Sequence, residues 1–314
     1  MQEAPLLDDI AHAPPGGRAF RVEAPDGVRL RLGHWPAAGA GAGGRGTVFL
    51  FPGRTEYIEK YGGTAADLAA LGFDTLVIDW RGQGLSDRPG CADPMLGHVR
   101  DFADYQLDIA ALRQAAQALA LPRPHYLLSH SMGGCIALRA LQEGLEVAAA
   151  AFSAPMWGIR MAPPLRPFAW SAAWLYTRIG KGCHLAPGTS HQTYVTTQPF
   201  EDNQLTTDRA QYEMLQAQAR AHPELTLGGP TMQWLLGALV ETRRLRTLPP
   251  PAKPALTFLG TRERIVDTRP IHALMRRWGA DGRLEMVAGA EHEVLLEGPQ
   301  VRARIMAELD RFFR

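Results

Sequence analysis

The sequence predicts an α/β fold: a mostly parallel sheet with helices on both faces and one helical insertion. Three observations carry that expectation. Short continuous apolar runs, such as Thr-Val-Phe-Leu-Phe at 47–51, suit strands buried on both faces rather than half-exposed ones. These runs alternate with amphipathic stretches of helical length, the order that builds parallel strands through crossover helices. The alternation stops at Pro155 and resumes near Ala255, so a single α/β core is interrupted once.

Taken in order, residues 1–17 are acidic and Pro-rich and lack the basic start and apolar core of a signal peptide. Residues 20–24 and 28–35 read as two strands joined at Asp26-Gly27, a hairpin signal. A Gly/Ala loop follows at 37–46, then the strand 47–51, which ends at Pro52-Gly53. Residues 57–71 read as a helix stopped by Gly72, 73–79 as a strand, and 101–121 as a helix halted by Pro122. An apolar run from His125 leads into Ser129-His130-Ser131-Met132-Gly133-Gly134, with a helical stretch after it and another strand at 147–152. Residues 156–248 are rich in aromatics, Met and Pro, with helical patches and no convincing buried strand. The Pro run at 249–251 marks the return to strand 255–259, helix 270–278, strand 284–287 and helix 299–313. The expected organisation is therefore a core in two pieces, 1–155 and 249–314, around a helical cap at 156–248.

Composition excludes several function classes. The 314 residues carry 33 Lys and Arg against 32 Asp and Glu, a net charge of +1, without the clustered basic excess of a nucleic-acid binder. No apolar run reaches the ~20 residues of a membrane-spanning helix. Cys91, Cys135 and Cys183 lie far apart without metal-ligand spacing and read as free thiols, with Cys135 under the helix that follows Ser131. The expected location is cytoplasmic, with peripheral contact at the inner membrane face, through the cap, compatible with the sequence. Oligomeric state is not legible.

The chemistry gathers at strand ends. Ser131 stands at the apex of a strand–turn–helix, the elbow that exposes a nucleophile and needs small residues two before and two after it. Gly133 meets the second need; Ser129 stands where glycine is usual. A serine nucleophile needs a base, and the base an orienting acid. His292 follows the strand 284–287 in Glu291-His292-Glu293, while two carboxylates, Glu263 and Asp267, follow the strand 255–259. Glu263 is favoured because it sits at the strand tip, whereas Asp267 already suits a helix N-cap. The order serine, acid, histidine fits. Acyl transfer also needs amide donors for the oxyanion. The N–H of Met132 comes with the elbow, and that of Arg54 follows Pro52-Gly53.

These stretches resemble the monoglyceride-lipase and lysophospholipase branch of the α/β-hydrolases, nearest to its bacterial lysophospholipases. The resemblance runs through residues 51–61, 78–86, 97–105, 129–134, 260–267 and 291–297, with 200–207 and 222–231 similar to the cap of the bacterial enzymes. It implies an α/β-hydrolase fold with Ser131 as nucleophile, His292 as base, Glu263 as acid, and Arg54 and Met132 as oxyanion amides. It further implies a lipid-like ester substrate, a lysophospholipid or monoacylglycerol, cleaved through an acyl-enzyme with no metal or organic cofactor. Pro52, Thr55, Ser129 and Glu263 depart from the commoner pattern of the branch. Two alternatives keep the same fold: a hydrolase of small non-lipid esters or amides with the same triad, and a non-catalytic ligand-binding protein.

Overall fold

The computed structural model describes residues 1–39 and 44–314. Nine strands form one sheet: β1 (Gln2–Ala4), β2 (Arg18–Glu23), β3 (Arg29–Trp35), β4 (Thr47–Phe51), β5 (Asp74–Asp79), β6 (His125–His130), β7 (Ala150–Ser153), β8 (Ala255–Gly260) and β9 (Gly282–Val287). Their spatial order is β1-β2-β3-β5-β4-β6-β7-β8-β9. The first three strands and β5 pair antiparallel; from β5 to β9 every pairing is parallel. Strands β4 to β8 are buried along their whole length, which is why they read as unbroken apolar runs.

Ten α-helices accompany the sheet among the described residues: α1 (Asp8–Ala11), α2 (Gly62–Ala70), α3 (Asp104–Ala118), α4 (Met132–Gln142), α5 (Leu165–Arg178), α6 (Tyr194–Thr197), α7 (Arg209–Ala221), α8 (Met232–Thr247), α9 (Thr268–Trp278) and α10 (Pro299–Phe312). Side chains alternate across each strand, so β4 sends Phe49 and Phe51 to one face and Val48 and Leu50 to the other. The first pair joins a core with Leu112, Ile136, Phe152 and Trp157. The second joins a core with Leu68, Phe258, Leu309 and Phe313. Two buried faces need two layers of helices. Residues 156–248 contribute helices α5 to α8 and no strand of the sheet.

Two sequence expectations need correction, and the structure adds elements at the start of the chain. The helix expected over 57–71 begins as a 3₁₀ turn, Ile58–Tyr61, and becomes α-helical only at Gly62. Strand β1 and helix α1 lie in the Pro-rich start, where no element is expected from the sequence; β1 adds an edge by pairing with β2. The free-thiol reading fails for two cysteines. Cys91 and Cys183 are joined by a disulfide, Cα to Cα 5.9 Å. It ties the loop after β5 to the segment after α5 across 92 residues of sequence, and no local spacing signals such a pairing. Cys135 is free and buried, as expected. Of the Gly/Ala loop at 37–46, residues 40–43 lie outside the described residues.

One buried ion cluster pins the loops above the sheet. Arg31 of β3 donates to Asp79 at 2.7 Å and to both oxygens of Glu59 at 2.8 Å, with all three side chains fully buried. Asp79 also accepts the N–H groups of Ile58 and Leu85. Removing one partner of a buried pair leaves the other charge without compensation. Arg31→Met should therefore cost about 3–5 kcal/mol in urea unfolding; a loss under about 1 kcal/mol would show that water reaches Glu59 and Asp79.

Candidate active site

Strand β6 ends at His130, and helix α4 starts at Met132. Ser131 between them adopts φ 49°, ψ −117°, a conformation that a non-glycine residue rarely takes. Its backbone is held on both sides. Its N–H donates to Ser153 O at 3.0 Å, and its carbonyl accepts from Gly134 and Met156 at 2.9 and 2.8 Å. The turn is tight enough that a Cβ on Gly133 would lie 2.1 Å from Phe51 O, so only glycine fits. Ser129, where the elbow pattern has glycine, tolerates its side chain by placing the hydroxyl 3.4 Å from Ala151 O.

His292 Nε2 lies 2.9 Å from Ser131 Oγ, and its Nδ1 lies 2.7 Å from Glu263 Oε2. The other carboxylate oxygen of Glu263 accepts the N–H groups of Ile265 and Val266 at 2.6 and 2.9 Å. Burial alone would raise the Glu263 carboxyl, but His292 and these two amides hold it below its ordinary value. Asp267, the other candidate acid, points elsewhere. It caps α9 through the Arg269 N–H and pairs with Arg166 and Arg269 at 2.7 and 2.9 Å. Although burial opposes ionisation, these two guanidinium groups draw it down to about 2. The structure thus brings Ser131, His292 and Glu263 into one hydrogen-bonded chain and leaves Asp267 outside it.

The loop after β4 leaves the Arg54 amide disengaged between two bound neighbours. The Gly53 N–H donates to the Glu56 carboxylate and the Thr55 N–H to Gln83 Oε1 at 3.0 Å. Gln83 Nε2 and Trp80 Nε1 fix the carbonyls of Gly53 and Pro52 at 2.9 Å each. Between them the N–H of Arg54 finds no acceptor among the described residues. The N–H of Met132 is the first of the amides that a helix start leaves without an intrahelical partner. Ser131, His292 and Arg54 line a cavity of about 370 Å³, whose apolar wall includes Ile159, Val195 and Trp234 from the 156–248 segment.

The family model described as "Serine aminopeptidase, S33" matches residues 43–299. The chain belongs to this family of α/β-hydrolases. Lysophospholipase L2 of Escherichia coli is 35% identical over 278 residues, covering 85% of this chain and 79% of that protein. Among crystal structures, a soluble variant of the monoglyceride lipase of Saccharomyces cerevisiae, in complex with a substrate analogue, superposes with a TM-score of 0.72. Its identity is 21%, over 99% of this chain and 98% of that one. The monoacylglycerol lipase of Paleococcus ferrophilus gives 0.69 at 18% identity, over 90% and 98%. The α/β-hydrolase expectation therefore holds in both sequence and architecture.

Beside the serine of this α/β-hydrolase lies a buried charge cluster that sequence reading did not single out. Lys60 Nζ donates to Glu56 and to Glu293 at 2.6 Å each. The ring of His130 packs 4.7 Å from that of His292. Its Nδ1 faces Ser153, and its Nε2 sits 3.3 Å from Glu293 and 3.5 Å from Glu56. Both are charge contacts, since Nε2 is not aligned for a hydrogen bond to either carboxylate. Glu56 also holds the Gly53 N–H and the Tyr61 hydroxyl. One cluster therefore braces the loop carrying the Arg54 amide and the segment carrying His292. The only sequence signal was that its members flank the singled-out residues: Glu56 and Lys60 after Arg54, His130 before Ser131, Glu293 after His292.

The pH dependence of this cluster follows from its charges. Burial lowers the basicity of His130, but Glu293 and Glu56 outweigh it, so the imidazole is raised above 6.5. A raised folded value means that stabilisation is fully present below 6.5 and is lost as pH rises through that higher value. Glu293 is the reverse. Burial opposes its charge, yet His130 and Lys60 hold it well below 4.5, so its contribution fades only as pH falls through that lower value. The stability difference between wild type and His130→Asn, from urea unfolding, should shrink as pH is raised above 6.5. A difference that stays flat or grows over that window would mean that His130 is neutral in the folded protein.

Proposed function

We propose that this protein hydrolyses the carboxylic esters of single-chain lipids, lysophospholipids or monoacylglycerols, with residues 156–248 acting as a cap over the acyl-chain pocket. The chain of hydrogen bonds from Ser131 through His292 to Glu263, opening onto an apolar cavity, carries this reading. The 35% identical relative, a lysophospholipase, supports the same class of reaction. His292 takes the Ser131 proton through Nε2 as Oγ attacks the ester carbonyl. Glu263 holds Nδ1–H and stabilises the imidazolium that forms. The amides of Arg54 and Met132 receive the developing oxyanion. His292 then protonates the leaving alcohol, and water, activated by the same imidazole, releases the fatty acid from Ser131. The family's description names an aminopeptidase, which would need a free carboxylate for the substrate's terminal ammonium. Glu56 and Glu293, which line the cavity, are both bound to Lys60, which argues against that use.

The cap also offers a membrane-facing surface. Helix α5 and the residue after it expose Leu165, Phe168, Trp174, Leu175 and Ile179, with Phe168 at 72%. No acidic residue occurs in this helix, and Arg178 and Lys181 lie at its end or just beyond it. An apolar face edged by cations suits an anionic lipid surface. Among the described residues no helix is long and apolar enough to cross a membrane, so the contact is peripheral. The cytoplasmic expectation rested in part on unpaired thiols. With Cys91 and Cys183 bonded, the cysteines no longer support it, and no compartment is proposed.

The triad assignment is tested with a monoacylglycerol and a lysophospholipid as substrates and Ser131→Ala as the blank. Glu263→Gln should lower kcat by roughly 10³- to 10⁴-fold with little change in KM, and Asp267→Asn by much less. The reverse ranking would reassign the acid. For the surface, Phe168→Ser with Trp174→Ser should weaken sedimentation with anionic vesicles at least ~10-fold while leaving hydrolysis of a water-soluble ester intact. Unchanged sedimentation would remove α5 from the contact.

A further inference from the structure

Among the described residues, the other enclosed cations of the core are compensated. Lys60 has two carboxylates, Arg31 two, and Arg81 pairs with Asp26 and Asp108. Arg88 donates to the carbonyls of Gly84, Pro94, Glu224 and Thr226. Arg54 differs. Its guanidinium is largely enclosed, yet among the described residues it makes one hydrogen bond, from Nη1 to Gly228 O at 2.8 Å, and packs 5.7 Å from the ring of Trp234. No carboxylate pairs with it, and burial without an anion draws it down to about 10. Among the described residues, four of its five N–H donors are unspent, and Arg54 lines the cavity that holds Ser131.

An enclosed guanidinium without a counter-ion is costly unless a ligand supplies one. The position of this one narrows what the ligand is. The backbone N–H of the same residue is the amide proposed above to receive the oxyanion, which places the anion within one arginine side chain of the reacting carbonyl. In a lysophospholipid a short glycerol bridge separates the acyl ester from the phosphate, and a phosphate matches a guanidinium in bidentate geometry. A monoacylglycerol has a hydroxyl at that place and leaves the cation unpaired. Resting on the lipid-ester reading above, we propose that the Arg54 side chain binds the headgroup phosphate, so that the site selects lysophospholipids over monoacylglycerols of the same chain length.

The experiment compares a short-chain lysophosphatidylcholine with the monoacylglycerol bearing the same acyl chain, below their micelle concentrations. Arg54→Gln should lower the ratio of the two kcat/KM values roughly 10- to 100-fold, as expected for losing a charge-assisted bond, with Arg54→Lys in between. The ratio cancels any disturbance of the shared acyl-transfer step. An unchanged ratio overturns the assignment. A measurement on unmodified protein guards against a variant that does not fold: titration with the non-hydrolysable ether analogues of the same two lipids. The phosphate-bearing ether should bind at least ~10-fold tighter, and equal affinities overturn the proposal. Inorganic phosphate competing as strongly as the phosphate-bearing ether would also overturn it, in favour of a free-anion site. If wild type cleaves neither lipid, the lipid-ester reading fails, and the ether titration still decides what Arg54 binds.

Discussion

A serine held at φ 49° is the constraint on which the rest of the site depends. Such a backbone is worth of order 1–3 kcal/mol of strain and persists only when its surroundings over-determine it. Here they do. Strand β6 is central in a sheet buried on both faces, helix α4 packs back on that sheet, and Gly133 lets the helix start within reach of the Phe51 carbonyl. Relaxing Ser131 would require moving β4, β6 or α4, each locked in a core. The strain therefore fixes where Oγ and the Met132 amide sit relative to the strand ends that carry the other groups.

Those other groups are aligned by charge as much as by packing. The cluster of Glu56, Lys60, His130 and Glu293 lies at the cavity wall and touches both the Arg54 loop and the His292 segment. Desolvating four ionisable groups is unfavourable unless each is paired, and the cluster is satisfied only when both loops are in place. The Arg31, Glu59 and Asp79 cluster acts one layer further out, anchoring Ile58 and Leu85. Arg54 is the exception: among the described residues no carboxylate pairs with its guanidinium.

Legibility in the sequence followed the range of the physics. Buried parallel strands are continuous apolar runs, so β4 to β8 could be read directly, and the elbow is local because its small residues lie within two positions of Ser131. Glu263 could be preferred over Asp267 because a strand tip and a helix cap differ within four residues. Pairings across the chain left no such trace. Cys91 and Cys183 are 92 residues apart, and Lys60 meets Glu293 only through the folded sheet. Strand β1 is three residues long and edge-paired, too short for an alternation to show. The unpaired state of the Arg54 side chain depends on the absence of neighbours, which a sequence does not record.

The central claim is that Ser131 carries the acyl group. It is tested most directly by rapid acid quench of the protein with a short-chain aryl ester, followed by intact-mass measurement and peptide mapping. The account predicts one acyl group per chain, on the peptide containing Ser131, absent in Ser131→Ala and formed far more slowly in Glu263→Gln. Turnover with no adduct at Ser131, or an adduct on another residue that survives in Ser131→Ala, would contradict it.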